Sequence, residues 1–302
     1  MLRPPPDGGG RRGIRPVHLM SHREETISNA DFGRLRRLIY EESGINLNSD
    51  KKTMLELRIK RRMRSLNLSS YAEYCEYLFG NRGQREEVVH LIDVVTTNKT
   101  DFFREAAHFE LLVQRVIPEI WSGRENGGQL LIWSAACSTG EEPYTLAMVL
   151  SDYAAAHSGF RFRILATDVS TTVLAKAKLG VYSLEAVRPV PRSLQHKYFM
   201  RSRDPESELV RVVPELRQRV EFRRLNFMEE DFCLAEKADV IFCRNVLIYF
   251  DRPTQEKILQ KLTRYLLPAG YVFVGHAETL HEMNIPLAPV APTLYRKADV
   301  RQ

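Results

Sequence analysis

The stretch Trp133-Ser134-Ala135-Ala136-Cys137-Ser138-Thr139-Gly140-Glu141-Glu142-Pro143-Tyr144 has the residue types of a ligand-binding turn. It follows a short apolar run, residues 129–134, and leads into a helical pattern over 141–153. Small residues between a strand and its helix let the backbone approach a nucleotide-type ligand. With only one glycine, Gly140, the glycine-rich dinucleotide fingerprint is absent. Glu141 and Glu142 then open the helix, where a pyrophosphate would be repelled and an amino group or sulfonium attracted. The same two acids also suit the helix dipole with no ligand present. Asp168 ends a second apolar run, 162–168, one βα unit further on. An acid there can accept hydrogen bonds from both hydroxyls of a ribose, although Asp is also a common helix N-cap. Together the two signals suggest an adenosine-containing ligand without phosphates, a description that S-adenosylmethionine fits.

Two further stretches concentrate polar residues where a cleft would need them. Thr96-Thr97-Asn98-Lys99-Thr100-Asp101-Phe102-Phe103-Arg104-Glu105 lies between a helical region and a sheet region. Its Asn, Thr and Arg side chains suit a cover over a cleft. The same residues suit a helix start capped by Thr100 or Asp101 with both phenylalanines in the core, and sequence physics leaves both open. Phe242-Cys243-Arg244-Asn245-Val246-Leu247-Ile248-Tyr249-Phe250 follows a fourth apolar run. That position faces the reacting group in a doubly wound sheet, and Arg244, Asn245 and Tyr249 are polar within it. Tyr249 also reads as a core tyrosine with its hydroxyl satisfied.

These stretches need elements to hold them. Strand patterns at 129–134, 162–168, 220–226, 238–243 and 270–275 alternate with helical patterns at 141–153, 172–178 and 253–267, which predicts a doubly wound, mostly parallel sheet. Val290 to Arg296 is a candidate closing strand. Residues 183–219 break the alternation with several prolines and the run Glu208-Leu209-Val210-Arg211-Val212-Val213, which predicts a small antiparallel β insert. Ahead of the sheet, 25–95 reads as an all-α domain, with Asp31 as the cap of its first helix, and 96–128 as a junction with a linker helix. The methyltransferase-type domain then spans 129–302. In the helix over 51–66 an apolar stripe, Leu55, Ile59, Met63 and Leu66, opposes Lys51, Lys52, Arg58, Lys60, Arg61, Arg62 and Arg64. Residues 1–24, with Pro4-Pro5-Pro6 and Gly8-Gly9-Gly10, read as a disordered leader.

The chain has 302 residues, 44% of them hydrophobic, enough for a sizeable core. It has no apolar run of membrane-spanning length and no signal-peptide pattern. Cys75, Cys137, Cys233 and Cys243 are scattered without CxxC spacing, which suits a reducing cytoplasm and speaks against disulfides and a zinc site. The net charge of +6 favours acidic partners. The basic helix lacks interleaved aromatics and no nucleic-acid reader motif is present, which speaks against nucleic acid; taken alone, its cationic face also suits plain solvation with no partner.

Taken in order, the four stretches resemble the chemotaxis receptor glutamate methyltransferases, the CheR family. The motifs that carry the resemblance are Thr97 to Glu105, Ala135 to Tyr144, Ala166-Thr167-Asp168, Leu225-Asn226-Phe227 and Cys243 to Phe250, and it extends over about 28–297. It implies a cytoplasmic enzyme that uses S-adenosylmethionine, without a metal, and releases S-adenosylhomocysteine on methylating receptor glutamates. It also implies that Asn98, Thr100 and Arg104 lean over the cofactor, that Glu141 holds its amino group and Asp168 its ribose, and that Asn226 and Phe227 line the adenine. Asn245 and Val246 would lie under the sulfonium, and Arg104 and Tyr249 would place the substrate carboxylate. The basic helix would face the receptor, the membrane being reached only through it, and the β insert resembles the subdomain that in some members grips a receptor tail. The insert's turn, Ser202 to Ser207, lacks the glycines of tail-binding members, and Ala277 stands where the family commonly has a serine.

Overall fold

The computed structural model describes residues 26–80, 84–122, 128–204 and 206–298. The expected leader lies outside them, as do residues 81–83 of the turn after the third helix. Helices α1 (Asn29–Ser43), α2 (Lys52–Leu66), α3 (Tyr71–Phe79) and α4 (Gln84–Val95) come first. The cap of α1 is Ser28, not Asp31: the Ser28 hydroxyl accepts from the Asp31 amide at 3.0 Å and donates to the Asp31 carboxylate. That reciprocal pairing starts the helix earlier than an Asp cap would. Leu55, Ile59 and Met63 of α2 are buried, with Leu35, Ile39, Tyr74, Leu78 and Leu91 in the same core. This is the expected apolar stripe packed inward.

Helix α5 (Ala107–Leu111) continues through a π-helical turn, Leu112–Val116, into α6 (Ile117–Ser122). The sheet then forms from β1 (Leu130–Ala135), β2 (Phe162–Asp168) and, later, β6 (Val220–Arg224), β7 (Ala238–Cys243) and β8 (Leu266–Val274). Helices α7 (Glu141–Ala156), α8 (Thr171–Leu179) and α11 (Arg252–Arg264) connect them. The insert contributes β3 (Val181–Ser183), α9 (Arg192–Tyr198), β4 (Phe199–Arg201) and β5 (Leu209–Val212), and α10 (Pro214–Arg217) leads back to β6. Its strands form a separate antiparallel sheet in the order β3-β5-β4.

The main sheet runs β6-β2-β1-β7-β8-β10-β9. Its first five strands are parallel, β1 pairing with β2 and β7 on either side. Alternate residues of β1 enter opposite cores: Leu130 and Ile132 face one, Leu131 and Trp133 the other. Instead of one closing strand there is a hairpin, β9 (Leu287–Ala291) and β10 (Leu294–Lys297), with β10 antiparallel to β8. The turn at Pro292-Thr293, Thr293 having φ 62°, splits the apolar run that reads as one strand.

The helical domain is fastened to the sheet domain by side chains. The Asp93 carboxylate accepts from the Thr171 amide and hydroxyl and from the Thr172 hydroxyl, at 2.8–3.0 Å, at the start of α8. Tyr40 donates to Asp251 at 2.8 Å, and the Asn46 amide to the Tyr249 carbonyl at 2.9 Å. These ties leave a cleft between the domains.

Candidate active site

The chain builds β1, β2 and β6 outward in one direction and returns to place β7 on the other side of β1. The carboxyl ends of β1 and β7 therefore diverge at a switch point, where doubly wound sheets hold ligands. A cavity of about 470 Å³ opens there. Its walls include Asn98, Thr100, Arg104, Asp168, Asn226, Phe227, Asn245, Val246 and Tyr249. The fold thus brings nine of the ten expected residues together from four separate stretches. Glu141 is not in the wall; its carboxylate accepts from the Thr139 hydroxyl at 2.7 Å, and Glu142 faces the cavity.

The first loop is tight. Ala136, Ser138 and Gly140 all have positive φ, at 68°, 50° and 98°. A Cβ on Gly140 would lie 2.9 Å from the Ala177 Cβ and the Tyr182 hydroxyl, so glycine is required there. Asp168 Oδ2 accepts from the Ser138 amide and Oδ1 from the Ser170 amide, both at 2.9 Å. The cap of α8 is Ser170 rather than Asp168. Asp168 thus fixes the loop, and burial pushes its pKa up.

The junction stretch is not a capped helix start. Residues 97–106 form a loop of turns, and α5 begins at Ala107 without a side-chain cap. Phe102 is buried in edge contact with Tyr182 and Phe199, at ring separations of 4.9 and 5.6 Å, which anchors the loop to the insert. Arg104 donates to the Lys99 carbonyl at 3.0 Å, and the Asn98 carbonyl accepts from the Ser138 hydroxyl at 3.0 Å. Asn226 donates to the Glu42 carbonyl at 2.5 Å, linking the cavity wall to α1.

Beneath the cavity lies a buried polar group centred on Arg244. Its Nη2 donates to the Arg104 carbonyl at 2.6 Å and its Nη1 to His108 Nδ1 at 2.9 Å. Its Nε lies 2.9 Å from Glu142 Oε2 as an ion pair, although the N–H is not aimed well enough for a hydrogen bond. Burial pushes the Glu142 carboxyl up; Arg244 and the Ser134 hydroxyl pull it back. Glu278, also buried, accepts the backbone amides of Asn245, Val246, Leu247 and Gly275. Asn245 is held at φ 57°, and its side chain donates to Glu105 at 3.1 Å. Apart from Ser134–Glu142 and Gly275–Glu278, these pairings join stretches more than thirty positions apart and are not visible in sequence.

Burial, helped by Arg244, pushes the His108 pKa down to about 4. Since Arg244 donates to Nδ1, the proton is on Nε2, which bonds Thr293 at 2.6 Å. Glu105, His108 and His276 offer ligand atoms within 4.8 Å of one another. Both His108 nitrogens are engaged in hydrogen bonds, and Arg244 Nη1 lies 4.0 Å from Glu105 Oε2, so this group already has a fixed positive charge beside it. The unfolded histidine titrates near 6.5. Between pH 6.5 and 4 the unfolded chain therefore binds more protons, and stability falls as pH drops, by about 3 kcal/mol across the window. Urea midpoints measured from pH 7 to 4 should show this fall, and His108→Asn, which keeps an acceptor for Arg244, should flatten it. An unchanged slope in that variant would place the titration elsewhere.

Two family models match the chain in succession. The model of the CheR methyltransferase all-alpha domain matches residues 30–96, and that of the CheR methyltransferase SAM binding domain matches 98–295. The chain belongs to the CheR methyltransferase family. Similar proteins include chemotaxis protein methyltransferase 2 of Pseudomonas aeruginosa, 38% identical over 94% of this chain and 98% of that one. The chemotaxis protein methyltransferase of Salmonella typhimurium is 40% identical over 94% and 95%. That of Escherichia coli is 40% identical over 89% and 91%. The CheR architecture accounts for both layers seen here, the helical domain and the S-adenosylmethionine-binding sheet. The cavity is within the size range of small-molecule sites, with close-approaching backbone on one side and an acid at the end of β2. The residues present fit that cofactor. Among the described residues no helix is long and apolar enough to cross a membrane.

Proposed function

We propose that this CheR protein methylates glutamate side chains on the cytoplasmic part of chemoreceptors, giving γ-glutamyl methyl esters. The observation that carries the reading is a cationic face beside the mouth of the cofactor cavity. Of the seven cations over residues 51–66, six of them on α2, Lys52 donates to Asn29, Arg62 forks onto Glu87 and Arg58 turns inward to backbone carbonyls. Lys60, Arg61 and Arg64 are exposed, and Lys51, also exposed, lines the cavity. An acidic helical partner lying along this face would bring its carboxylates to the opening. The outer face of the insert, with Val181, Leu209 and Met200 at 40, 49 and 41% exposure, offers a second contact for a receptor segment.

In this reading Asn98, Thr100, Asp168, Asn226, Phe227, Asn245 and Val246 hold S-adenosylmethionine. The family resemblance gives its amino group to Glu141, which lies just outside the cavity wall with its carboxylate on the Thr139 hydroxyl, while Glu142, which faces the cavity, is paired with Arg244 and Ser134. When bound, the cofactor supplies an electrophilic methyl group and leaves as S-adenosylhomocysteine. A glutamate is already ionised at neutral pH, so the chain need supply no strong base. Its task is to hold the acceptor oxygen in line and exclude water. Arg104 and Tyr249 line the cavity and orient the carboxylate, and the Tyr249 hydroxyl has no hydrogen-bond partner among the described residues. Tyr249→Phe should lower turnover about tenfold or more and leave S-adenosylhomocysteine affinity unchanged. Lost affinity would move Tyr249 to the cofactor side.

The deciding experiment incubates the protein with methyl-labelled S-adenosylmethionine and the cytoplasmic fragment of a cognate chemoreceptor, then treats the product with mild alkali. Label incorporated and then released as methanol supports the reading. Cofactor binding without label in any receptor would assign another acceptor.

A further inference from the structure

Arg58 looks from sequence like one more cation for docking a partner, but its guanidinium points into the protein. Nη1 donates to the carbonyls of Val94, Val95 and Thr96, at 3.1, 2.5 and 3.0 Å, and Nη2 to the Thr97 hydroxyl at 3.3 Å. The first two carbonyls close α4, whose last turn has no intrahelical donors for them, and a cation is favoured at that negative end. The other two acceptors begin the loop that covers the cavity.

From there a continuous path of hydrogen bonds reaches the cofactor wall. The Asn98 side chain donates to the Thr96 hydroxyl at 3.2 Å. The Asn98 carbonyl accepts from the Ser138 hydroxyl, and the Ser138 amide donates to Asp168. Thr96, Thr97, Asn98, Ser138 and Asp168 all line the cavity. The Arg58 charge is also within Coulombic reach of Tyr249.

We propose that Arg58 is a positioning residue for the cofactor site. It holds residues 96–98 so that Asn98 and the first loop meet in one geometry. This rests on the cavity's being the S-adenosylmethionine site. The arrangement uses both terminal nitrogens, Nη1 shared among three carbonyls and Nη2 on Thr97, a span that the single nitrogen of the shorter lysine side chain does not cover. It also joins the proposed docking helix to the cofactor loop through one side chain, so a displacement of α2 by a bound partner would be felt at Asn98.

The test uses the full chain and S-adenosylhomocysteine as probe, by titration calorimetry, with melting temperature and KM for the receptor fragment measured alongside. Arg58→Lys should raise the S-adenosylhomocysteine Kd about tenfold or more. Its melting temperature should stay within about 5 °C of wild type, and its receptor KM at saturating cofactor within about twofold. Thr97→Val, which removes one acceptor and leaves every helix untouched, should raise Kd about threefold. Arg61→Ala should do the reverse, raising receptor KM and leaving Kd alone. The proposal is overturned if Arg58→Lys binds the probe as wild type does, or if only receptor KM moves, which would make Arg58 a docking residue. It is overturned too if Arg58→Lys melts far below wild type while Thr97→Val binds normally, leaving only a helix cap. Wild-type protein that does not bind the probe would overturn the cofactor site itself.

Discussion

Arg244→Met is expected to lose about 3–5 kcal/mol of folding stability, and with it nearly all methyl transfer. The side chain is 2% exposed and its charge faces Glu142, itself 12% exposed. Removing the cation leaves that carboxylate buried and uncompensated, and its pKa should rise further. It also strips the donor from the Arg104 carbonyl and from His108 Nδ1, so the backbone that carries Arg104 is released. Arg244→Lys keeps a charge but loses the fork, and should fall between. The double variant Arg244→Met/Glu142→Gln should recover part of the stability and none of the activity, because the buried charge is gone while Arg104 remains unheld. Urea denaturation and a methyl-transfer assay check this; a stability loss below about 1 kcal/mol for Arg244→Met would show that water already reaches the pair.

Glu278→Ala should cost at least about 3 kcal/mol, since each backbone N–H left without its charged acceptor costs about 1–3 kcal/mol and the site vacates four. Oε1 takes the Val246 and Leu247 amides at 2.9 and 2.7 Å; Oε2 takes those of Asn245 and Gly275 at 2.9 and 2.5 Å. Water entering the gap repairs part of the loss, which is why the sum is not fully realised. The functional consequence is larger than the stability figure implies. Asn245 needs its left-handed backbone to aim at the cavity, and Glu278 is what makes that conformation favourable. Cofactor affinity should fall about tenfold or more. Glu278→Gln retains one carbonyl oxygen, hence one pair of amides, and should lose roughly half as much. Equal affinities in all three proteins would mean that Asn245 and Val246 are held by the strand alone.

The parts of the fold that were legible were those governed by local patterning. β1 and β7 are nearly continuous apolar runs because they are buried on both faces, and α2 declares its stripe at helical spacing. The β9–β10 hairpin was hidden, since Ala291-Pro292-Thr293 turns the chain with no glycine or Asn-Gly signal. So was the full length of β8, because Pro268 and Gly270 read as a break, whereas the strand accommodates them with Ala269 at φ 57° and a register shift against β7. The site divides in the same way. Asp168 and Asn245 stand at strand ends, where topology points. Arg58, His108 and Glu278 act through partners that only the fold supplies, so their types gave no sign of their tasks. Over residues 51–66 the seven cations read as a uniform face, and a one-dimensional pattern cannot show which of them have been taken by the interior.

The order of strands in the sheet has a consequence for how the protein comes into being. The cavity draws its walls from residues as far apart in sequence as Ser43 and Phe250, and β7, which completes the crevice beside β1, pairs with it more than a hundred positions later. On the ribosome the first loop and Asp168 emerge long before their facing wall exists. Contacts so distant in sequence form slowly, so the binding site is among the last features of the molecule to appear. A nascent chain stalled before Ala238 would lack β7 and with it one wall of the crevice. Ligand binding therefore reports, in a single signal, that the chain has been made at least as far as Phe250 and that its distant parts have come together.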